Sequence, residues 1–272
     1  RPGCVAWITS FDLEGWGEPG WDSLAVRGIV RDASRGAVGV KVWKDIGMVL
    51  RDPDGRFVLL DDPRFEPVFS CVESLGLTLV IHTAEPRSCW LPLESMPSPN
   101  DRNYYETHPQ YHAFLHPEIP DYWTLIEARD RLLARHPKLS VVGCHLASLE
   151  FDLDEVALRL ERYPNLAVDM AERVYYLQMQ ERRKVRDFLL KYRDRILYGT
   201  DLMVDSAGEP PLAIDATLTR MDSVYSKDLR YFATDERMTD WKVEGHFQGL
   251  ALPDSVLREI FYENAKKWFP RL

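Results

Sequence analysis

Two histidines and one aspartate stand at the ends of short apolar segments. His82, His145 and Asp201 follow LTLVI, LSVVGC and ILYGT, respectively. Imidazole and carboxylate groups that converge beside an open coordination position bind divalent metals and activate water. If the three segments are strands that end at one edge of a sheet, these side chains would meet there. We therefore predict a metal site at His82, His145 and Asp201.

Short apolar segments alternate with amphipathic ones along the chain. Strands are predicted at 5–11, 37–44, 77–82, 139–145, 165–170 and 195–201. Helices are predicted at 21–34, 61–75, 121–135, 153–162, 180–193 and 254–268. Nearly all-apolar strands that alternate with helices indicate a parallel sheet. In a (β/α) barrel the carboxyl ends of such strands ring the active site. The sequence has neither G-x-G-x-x-G nor a P-loop, which disfavours a nucleotide-binding doubly wound sheet.

Charge and cysteine content limit the classes of partner. The chain has 34 Lys+Arg and 43 Asp+Glu, a net charge of −9, with both signs interspersed. This disfavours binding to nucleic acid or to an anionic membrane surface, and no apolar run approaches the roughly 20 residues of a membrane helix. The four cysteines include no C-x-x-C pair, which predicts free thiols and a cytoplasmic location. The sequence begins with Arg1 and not with an initiator Met, so it leaves open whether the protein is exported. It also leaves open whether the protein forms a homo-oligomer.

Five strings carry a resemblance to a known family. They are GVKV at 39–42, VIHT at 80–83, GCHLAS at 143–148, ILYGTD at 196–201 and FYENA at 261–265. In order and spacing the sequence resembles the amidohydrolase-related (amidohydrolase 2) family over about 5–201 and 253–268. The resemblance implies a metal-dependent (β/α)8 TIM-like barrel. Such barrels include hydrolases, lactonases, a hydratase and non-oxidative decarboxylases.

The family pattern has H-x-H on strand 1, a histidine on strands 5 and 6, and an aspartate on strand 8. By that resemblance, 5–11 is strand 3, while His82, His145 and Asp201 close strands 5, 6 and 8. No H-x-H occurs in this sequence, and strands 1 and 2 have no counterpart. We therefore interpret the chain, 1–272, as a single barrel domain that lacks its N-terminal part and has a long insertion at about 84–120.

The resemblance also implies roles for the three residues. His82 would ligate the metal, and His145 would be a second ligand or an acid/base group that contacts the water. Asp201 would be a ligand or the general base that takes the proton of the water. An apolar strand that ends in Asp201 would bury a charge, which requires a cation beside it.

Three further residues are candidates for contact with substrate. Lys41 would pair with a substrate carboxylate, close an ion pair, or be carboxylated and bridge two metals. Glu85 would contact substrate or be a solvated loop carboxylate. Arg173 would clamp an anion through its forked guanidinium or form a surface salt bridge.

The insertion contains three histidines at a spacing of four: His108, His112 and His116. On a helix they would line one face and could form a second metal site. Pro109 and Pro117 disfavour a regular helix there. Long βα loops of this kind more often form lids or subunit contacts over the mouth of a barrel.

These patterns predict a metal-dependent hydrolase. A divalent ion, with zinc expected, would activate water against an ester, lactone or amide of a small molecule. One alternative is non-oxidative decarboxylation of a small carboxylated ring at the same site. Another is a non-catalytic barrel that binds a small molecule, since fold alone does not determine function.

Overall fold

A parallel sheet forms the centre of the molecule. The computed structural model describes residues 5–202 and 214–272, apart from the side chains of 214–216. Five strands pair in sequence order and all run parallel. They are β1 (Gly39–Val42), β2 (Thr78–Ile81), β3 (Val141–Gly143), β4 (Leu166–Asp169) and β5 (Ile196–Leu197). Each coincides with a predicted strand, but is shorter at both ends.

The predicted strand at 5–11 is an extended segment beside β1. Thr9 bridges Val40 in parallel, and the Thr9 carbonyl accepts from the Lys41 N–H at 2.7 Å. The Val38 N–H donates to the Trp7 carbonyl at 3.0 Å. The segment therefore adds an irregular sixth strand to the β1 edge.

Helices alternate with the strands along the chain. They are Trp21–Ser34, Glu66–Ser74, Pro99–Thr107, Tyr122–Arg135, Leu153–Arg162, Val174–Met179, Arg182–Lys191, Ile214–Ala233 and a C-terminal helix that runs through Asp254–Arg258, the π-turn Glu259–Glu263 and Asn264–Trp268. Asp121 caps the helix Tyr122–Arg135 by accepting from the Trp123 N–H at 2.9 Å, and Asp62 accepts from the Arg64 N–H at 2.9 Å in the 3-10 turn Pro63–Phe65 that leads into Glu66–Ser74. The helices predicted at 21–34 and 153–162 have the observed bounds.

The two faces of the sheet carry different residues because side chains alternate along each strand. Val40, Leu79, Val141 and Leu166 lie in register and are fully buried against the helices. The opposite face carries smaller side chains and packs against the C-terminal helix at Trp268. These residues are Val80, Val142, Ala167 and Leu197. This second face is the interior of the barrel.

The strands do not close a hydrogen-bonded ring within the described residues. Among the described residues, β1 and β5 are the first and last regular strands of the sheet, and only the irregular 5–11 segment lies beyond β1. After β5 the Tyr198 N–H donates to the Ile260 carbonyl of the C-terminal helix at 3.0 Å, rather than to a further strand. Parallel order, crossover helices and a packed interior face define the predicted TIM-barrel class.

The long connection at 84–120 contains the helix Pro99–Thr107 and several 3-10 turns, and no strand among its residues. The other stretch that the sequence left unassigned, 202–253, contains two short antiparallel strands. They are β6 (Arg237–Met238) and β7 (Phe247–Gln248). Neither stretch adds a further strand to the parallel sheet within its described part.

Three of the four cysteines, Cys71, Cys89 and Cys144, are free thiols, as predicted, and Cys4 lies outside the described residues. None of the helices in the described part of the chain has the length and apolar character that spanning a bilayer requires.

Candidate functional site

His82 and His145 meet at the carboxyl end of the parallel sheet. Their ring centroids lie 4.4 Å apart with 69° between the ring planes. His82 directly follows β2 and its N–H donates to the Val42 carbonyl at 2.9 Å, which continues the ladder to β1. Alternation from Val80 puts the His82 side chain on the interior face. The structure thus brings together two of the three residues in the predicted metal site.

His145 reaches this position through a left-handed turn. The residues at 145–148 all have φ between 56° and 58°, and none of them is glycine. Left-handed backbone costs about 1–2 kcal/mol per such residue, so surrounding contacts must hold the turn. Strain of this kind is concentrated at functional sites.

Contacts with the end of β4 and with the segment after β2 hold the turn in place. One Asp169 carboxylate oxygen accepts from the His145 N–H at 2.9 Å and from the Ala171 N–H at 3.0 Å. The Ser148 hydroxyl donates to the Ala84 carbonyl at 2.9 Å and accepts from the Ala84 N–H at 3.2 Å. Because Ala84 follows His82 by two residues, Ser148 fixes both histidine segments to each other.

The carbonyls of the turn have buried partners as well. Arg129, which is fully buried, donates to the Ala147 carbonyl, and the Tyr122 hydroxyl donates to the Ser148 carbonyl. Both partners belong to the helix Tyr122–Arg135. This helix therefore supports the histidine pair from behind the sheet.

Gly143 leaves the room that the turn needs. A Cβ atom there would lie 2.7 Å from the Ala147 Cβ. We expect Gly143→Ala to destabilise the fold by about 1–3 kcal/mol, because the turn would have to move. Gly28→Ala is the matched control, since a Cβ at this helical glycine has no neighbour within 4 Å and helix propensity favours alanine by up to about 1 kcal/mol. Urea unfolding measures both, and equal stability of the two variants would contradict this account of the turn.

Both imidazoles are neutral, and each has a ring nitrogen whose lone pair is available to a ligand. Burial, and then nearby positive charge, hold the pKa of His82 well below its usual value and lower that of His145 to about 3. His145 Nδ1 lies 2.7 Å from the Ala171 carbonyl. It must donate there, which leaves the lone pair on Nε2. His82 Nε2 is buried without a hydrogen-bond partner in the described structure.

Asp201 does not join the pair. Because β5 ends at Leu197, the chain has left the sheet four residues before Asp201, which is exposed and has φ 54°. The expectation of a buried carboxylate at this position is therefore wrong. Within residues 5–202 and 214–272, no three histidine, cysteine, aspartate or glutamate side chains are grouped to hold a metal ion. The roles predicted for Asp201 remain predictions.

Lys41 points into the barrel interior. Its Nζ lies 2.8 Å from Cys144 Sγ and 5.0 Å from the centroid of the Trp43 ring. In the described structure Lys41 forms no ion pair. Alternation counted back from His145 predicts that this thiol points away from the site, and its contact with Lys41 shows that this prediction is wrong. Regular alternation puts Cys144 inside, and the left-handed turn brings His145 to the same region. Burial raises the pKa of the Cys144 thiol.

Arg173 lies beside the histidines and Glu85 lies at the rim. The charge of Arg173 acts on both imidazoles, and Nη1 donates to the Glu172 carbonyl at 2.8 Å. Arg173 is 9% exposed, and its Nε has no hydrogen-bond partner in the part of the chain that the structure describes. The alternative prediction, that Arg173 forms a surface salt bridge, is therefore wrong. Glu85 forms an ion pair with Lys44, so its carboxylate has a protein partner.

Glu150 is an acid near the site that the sequence reasoning missed. It is fully buried, and one carboxylate oxygen accepts from the Arg87 N–H at 3.0 Å. The other oxygen has no partner among the residues described. Burial raises the pKa of Glu150 to about 7, against the opposing effect of Arg173. The sequence feature that indicates this burial is the position of Glu150 between Leu149 and Phe151, because apolar neighbours after a buried strand favour a buried position for the acid between them.

Glu150→Gln tests this burial through pH-dependent stability. The pKa of Glu150 is about 7 in the folded protein and 4.5 ordinarily, so the folded state favours the neutral acid. The stability that this preference contributes is fully present below pH 4.5 and is lost as the pH rises through about 7. We expect Glu150→Gln to be more stable than wild type by on the order of 3 kcal/mol at about pH 8 and equal near pH 4. Urea unfolding at both pH values decides this, and a pH-independent difference would contradict the burial argument.

The insertion is fastened to the helix that follows Arg173. Asp101 is buried and accepts from the hydroxyls of Tyr175 at 2.8 Å, Ser88 at 2.6 Å, and Tyr176. The insertion therefore packs on the carboxyl end of the sheet, as expected for a βα loop over the barrel mouth.

The insertion histidines do not share a helix face. The helix ends at Thr107, and His112 Nε2 lies 2.9 Å from the Leu91 carbonyl, while His116 Nε2 lies 3.1 Å from the Pro109 carbonyl. The prediction that these three histidines align on one helix face to form a second metal site is therefore wrong.

Parallel strands with two facing histidines at their carboxyl ends place the chain among TIM-barrel proteins. The amidohydrolase family matches residues 15–271, and the chain belongs to that family. The search of curated proteins found no match.

Several solved structures are similar to this chain. A 2,6-dihydroxybenzoate decarboxylase from Rhizobium is 19% identical with a TM-score of 0.51, over 99% of this chain and 72% of that chain. A TIM-barrel protein from Bordetella bronchiseptica is 18% identical with a TM-score of 0.49, over 92% of this chain and 63% of that one. A dihydroxybenzoic acid decarboxylase from Polaromonas, solved with manganese and 2-nitroresorcinol, is 16% identical with a TM-score of 0.48, over 92% and 66%. The chain thus spans less than two thirds of the Bordetella protein, and the first of these likenesses supports the fold.

Proposed function

We propose that this chain carries two ligands of a divalent metal site in an enzyme that acts on a small, carboxylate-bearing molecule. The observation that carries the proposal is the pair His82 and His145, whose rings lie 4.4 Å apart. Two buried, neutral imidazoles at the end of parallel strands are costly unless a ligand uses their lone pairs. We take residues 1–272 as one domain around this pair, with the insertion at about 84–120.

The donor atoms fit a metal ion. His82 Nε2 is buried without a partner among the described residues, and the His145 tautomer leaves Nε2 free. Zinc is the ion we propose, since imidazole suits it, and manganese is the alternative. When bound, such an ion would supply Lewis-acid activation of a carbonyl or of water. Its other ligands would come from further residues, water or substrate.

The protein groups around the pair would orient the substrate. Arg173 would hold a substrate carboxylate, because its Nε has no partner in the described structure and guanidinium matches carboxylate in a fork. Lys41 would add positive charge from the interior, and Glu85 would hold Lys44 at the rim. By resemblance, Asp201 would take the proton of water.

We propose hydrolysis of an ester, lactone or amide as the reaction. Non-oxidative decarboxylation is the second candidate, and one observation favours it. Arg173 has no carboxylate partner within ion-pair distance in the described structure, so a substrate carboxylate would be held beside the histidines. Two of the solved structures above are named as decarboxylases.

The reaction class can be tested with the metal-loaded full chain. One substrate set comprises esters, lactones and amides that carry a carboxylate, and the other comprises carboxylated aromatic rings. Release of acid from the first set and no carbon dioxide from the second is the expected result. Carbon dioxide release would replace hydrolysis by decarboxylation. Full metal occupancy with neither product would indicate a non-catalytic binding barrel.

A further inference from the structure

Glu150 and Arg173 are buried groups of opposite charge, and each has one polar atom without a hydrogen-bond partner among the described residues. Glu150 has a buried carboxylate oxygen without a donor, and Arg173 has a buried Nε–H without an acceptor, within the described part of the chain. The two side chains form no ion pair within 4.0 Å, yet each charge acts on the other. Glu150 is therefore close to Arg173 without being bound to it.

The other groups that face Glu150 leave Arg173 as its main source of positive charge. Arg87 gives a backbone N–H to Glu150, but its guanidinium lies 4.7 Å from the centroid of the Phe151 ring. The remaining neighbours are acidic or neutral: Asp101 from the insertion, Tyr122 from the helix behind the sheet, and Tyr175 and Tyr176 after Arg173.

We propose that Glu150 is a proton acceptor controlled by Arg173. It stays ionised only while the guanidinium charge is free to act on it, and it takes up one proton from solvent when that charge is neutralised. The reason is Coulombic: an ionised carboxylate without exposure to water is stabilised by the nearest cation, and an anion at that cation cancels the stabilisation. The ligand class, a carboxylate at Arg173, rests on the proposed function.

The coupling has a consequence for binding. A carboxylate that occupies Arg173 would add no net charge to the buried region, because a proton enters at Glu150 as the anion enters at Arg173. Anion affinity would therefore fall as the pH rises past neutrality, where that proton is harder to supply. Glu150 is a positioning residue in this scheme and does not touch substrate.

The first experiment is an infrared pH titration of the full chain. The carboxylic acid C=O band assigned to Glu150 is the one that Glu150→Gln removes. Arg173→Met, which keeps bulk but removes charge, should raise the midpoint of this band by at least about one pH unit. Glu73→Gln, at a partly buried acid next to His136, is the matched control and should leave the band unchanged. An unchanged midpoint in Arg173→Met would overturn the proposal.

The second experiment is decided by the unsubstituted protein, so its outcome does not depend on how the variants fold. Benzoate is titrated calorimetrically near neutral pH in two buffers with different ionisation enthalpies. Binding should take up a substantial fraction of one proton in wild type and none in Glu150→Gln. Binding without proton uptake by wild type would overturn the proposal. If benzoate does not bind but Arg173→Met moves the infrared midpoint, the coupling stands and the carboxylate-binding role of Arg173 is lost.

Discussion

Replacing His82 with alanine is expected to lower bound divalent metal and turnover together, each by about 100-fold or more. The reason is the loss of a buried imidazole whose Nε2 has no other partner in the described structure. Loss of a residue that merely orients a ligand costs about 10–100-fold in metal affinity, and loss of a ligand should exceed that. Metal analysis after dialysis and a turnover assay on the same sample measure both quantities.

His136→Gln is the control for this substitution. His136 is a buried histidine like His82, but it precedes β3 at the amino end of the sheet and contacts Glu66 at 3.2 Å. It should keep full metal content even if the fold loses some stability. Loss of metal in His136→Gln, or full metal in His82→Ala, would contradict the assignment of His82 as a ligand.

Replacing Arg173 with methionine is expected to cost about 100-fold or more in kcat/KM for a carboxylated substrate. A buried charge-assisted contact of this kind contributes about 2–5 kcal/mol when one partner is truncated. The loss should nearly vanish for the same substrate with its carboxylate replaced by a neutral amide. This comparison separates anion recognition from general damage to the site.

Arg87→Met is the matched arginine control, because the Arg87 side chain lies over the Phe151 ring and not at the histidines. It should leave kcat/KM within a few-fold of wild type. If Arg173→Met weakened both the carboxylate and the amide substrate equally, Arg173 would support the structure only, and the proposed anion site would be withdrawn.

The strands and the proximity of the two histidines could be predicted because short, nearly all-apolar runs indicate buried strands. The segments that contain β2 and β3 are almost wholly apolar, and each runs directly into its histidine, His82 or His145. In a parallel sheet the carboxyl ends of neighbouring strands are adjacent, so the backbones of two such histidines lie close together, and the left-handed turn then brings the His145 side chain to His82. The prediction depended on strand order alone.

The error at Asp201 has a different origin. The string ILYGTD was interpreted as a strand up to its last residue, but only Ile196–Leu197 pairs with β4. The Tyr198 N–H bonds to the C-terminal helix at Ile260, a contact between residues far apart in sequence. Local pattern cannot show where a tertiary contact of this kind ends a strand.

Cys144 and Glu150 were missed for a related reason. Alternation counted back from His145 turns Cys144 outward, but four successive residues with left-handed backbone, at 145–148, change the direction of the side chains from His145 onward. Nothing in their types predicts this, since none is glycine and the turn is held by Asp169 and Ser148. Glu150 follows this turn by two residues and is fully buried.

X-ray absorption of the metal-loaded full chain tests most directly whether His82 and His145 share one metal ion. Imidazole ligands give multiple-scattering features that can be counted for zinc or manganese. We predict one imidazole fewer than wild type in His82→Ala and again in His145→Ala, with no change in His136→Gln. The same imidazole count in wild type and in both site variants would show that the metal binds elsewhere, and it would contradict the central claim.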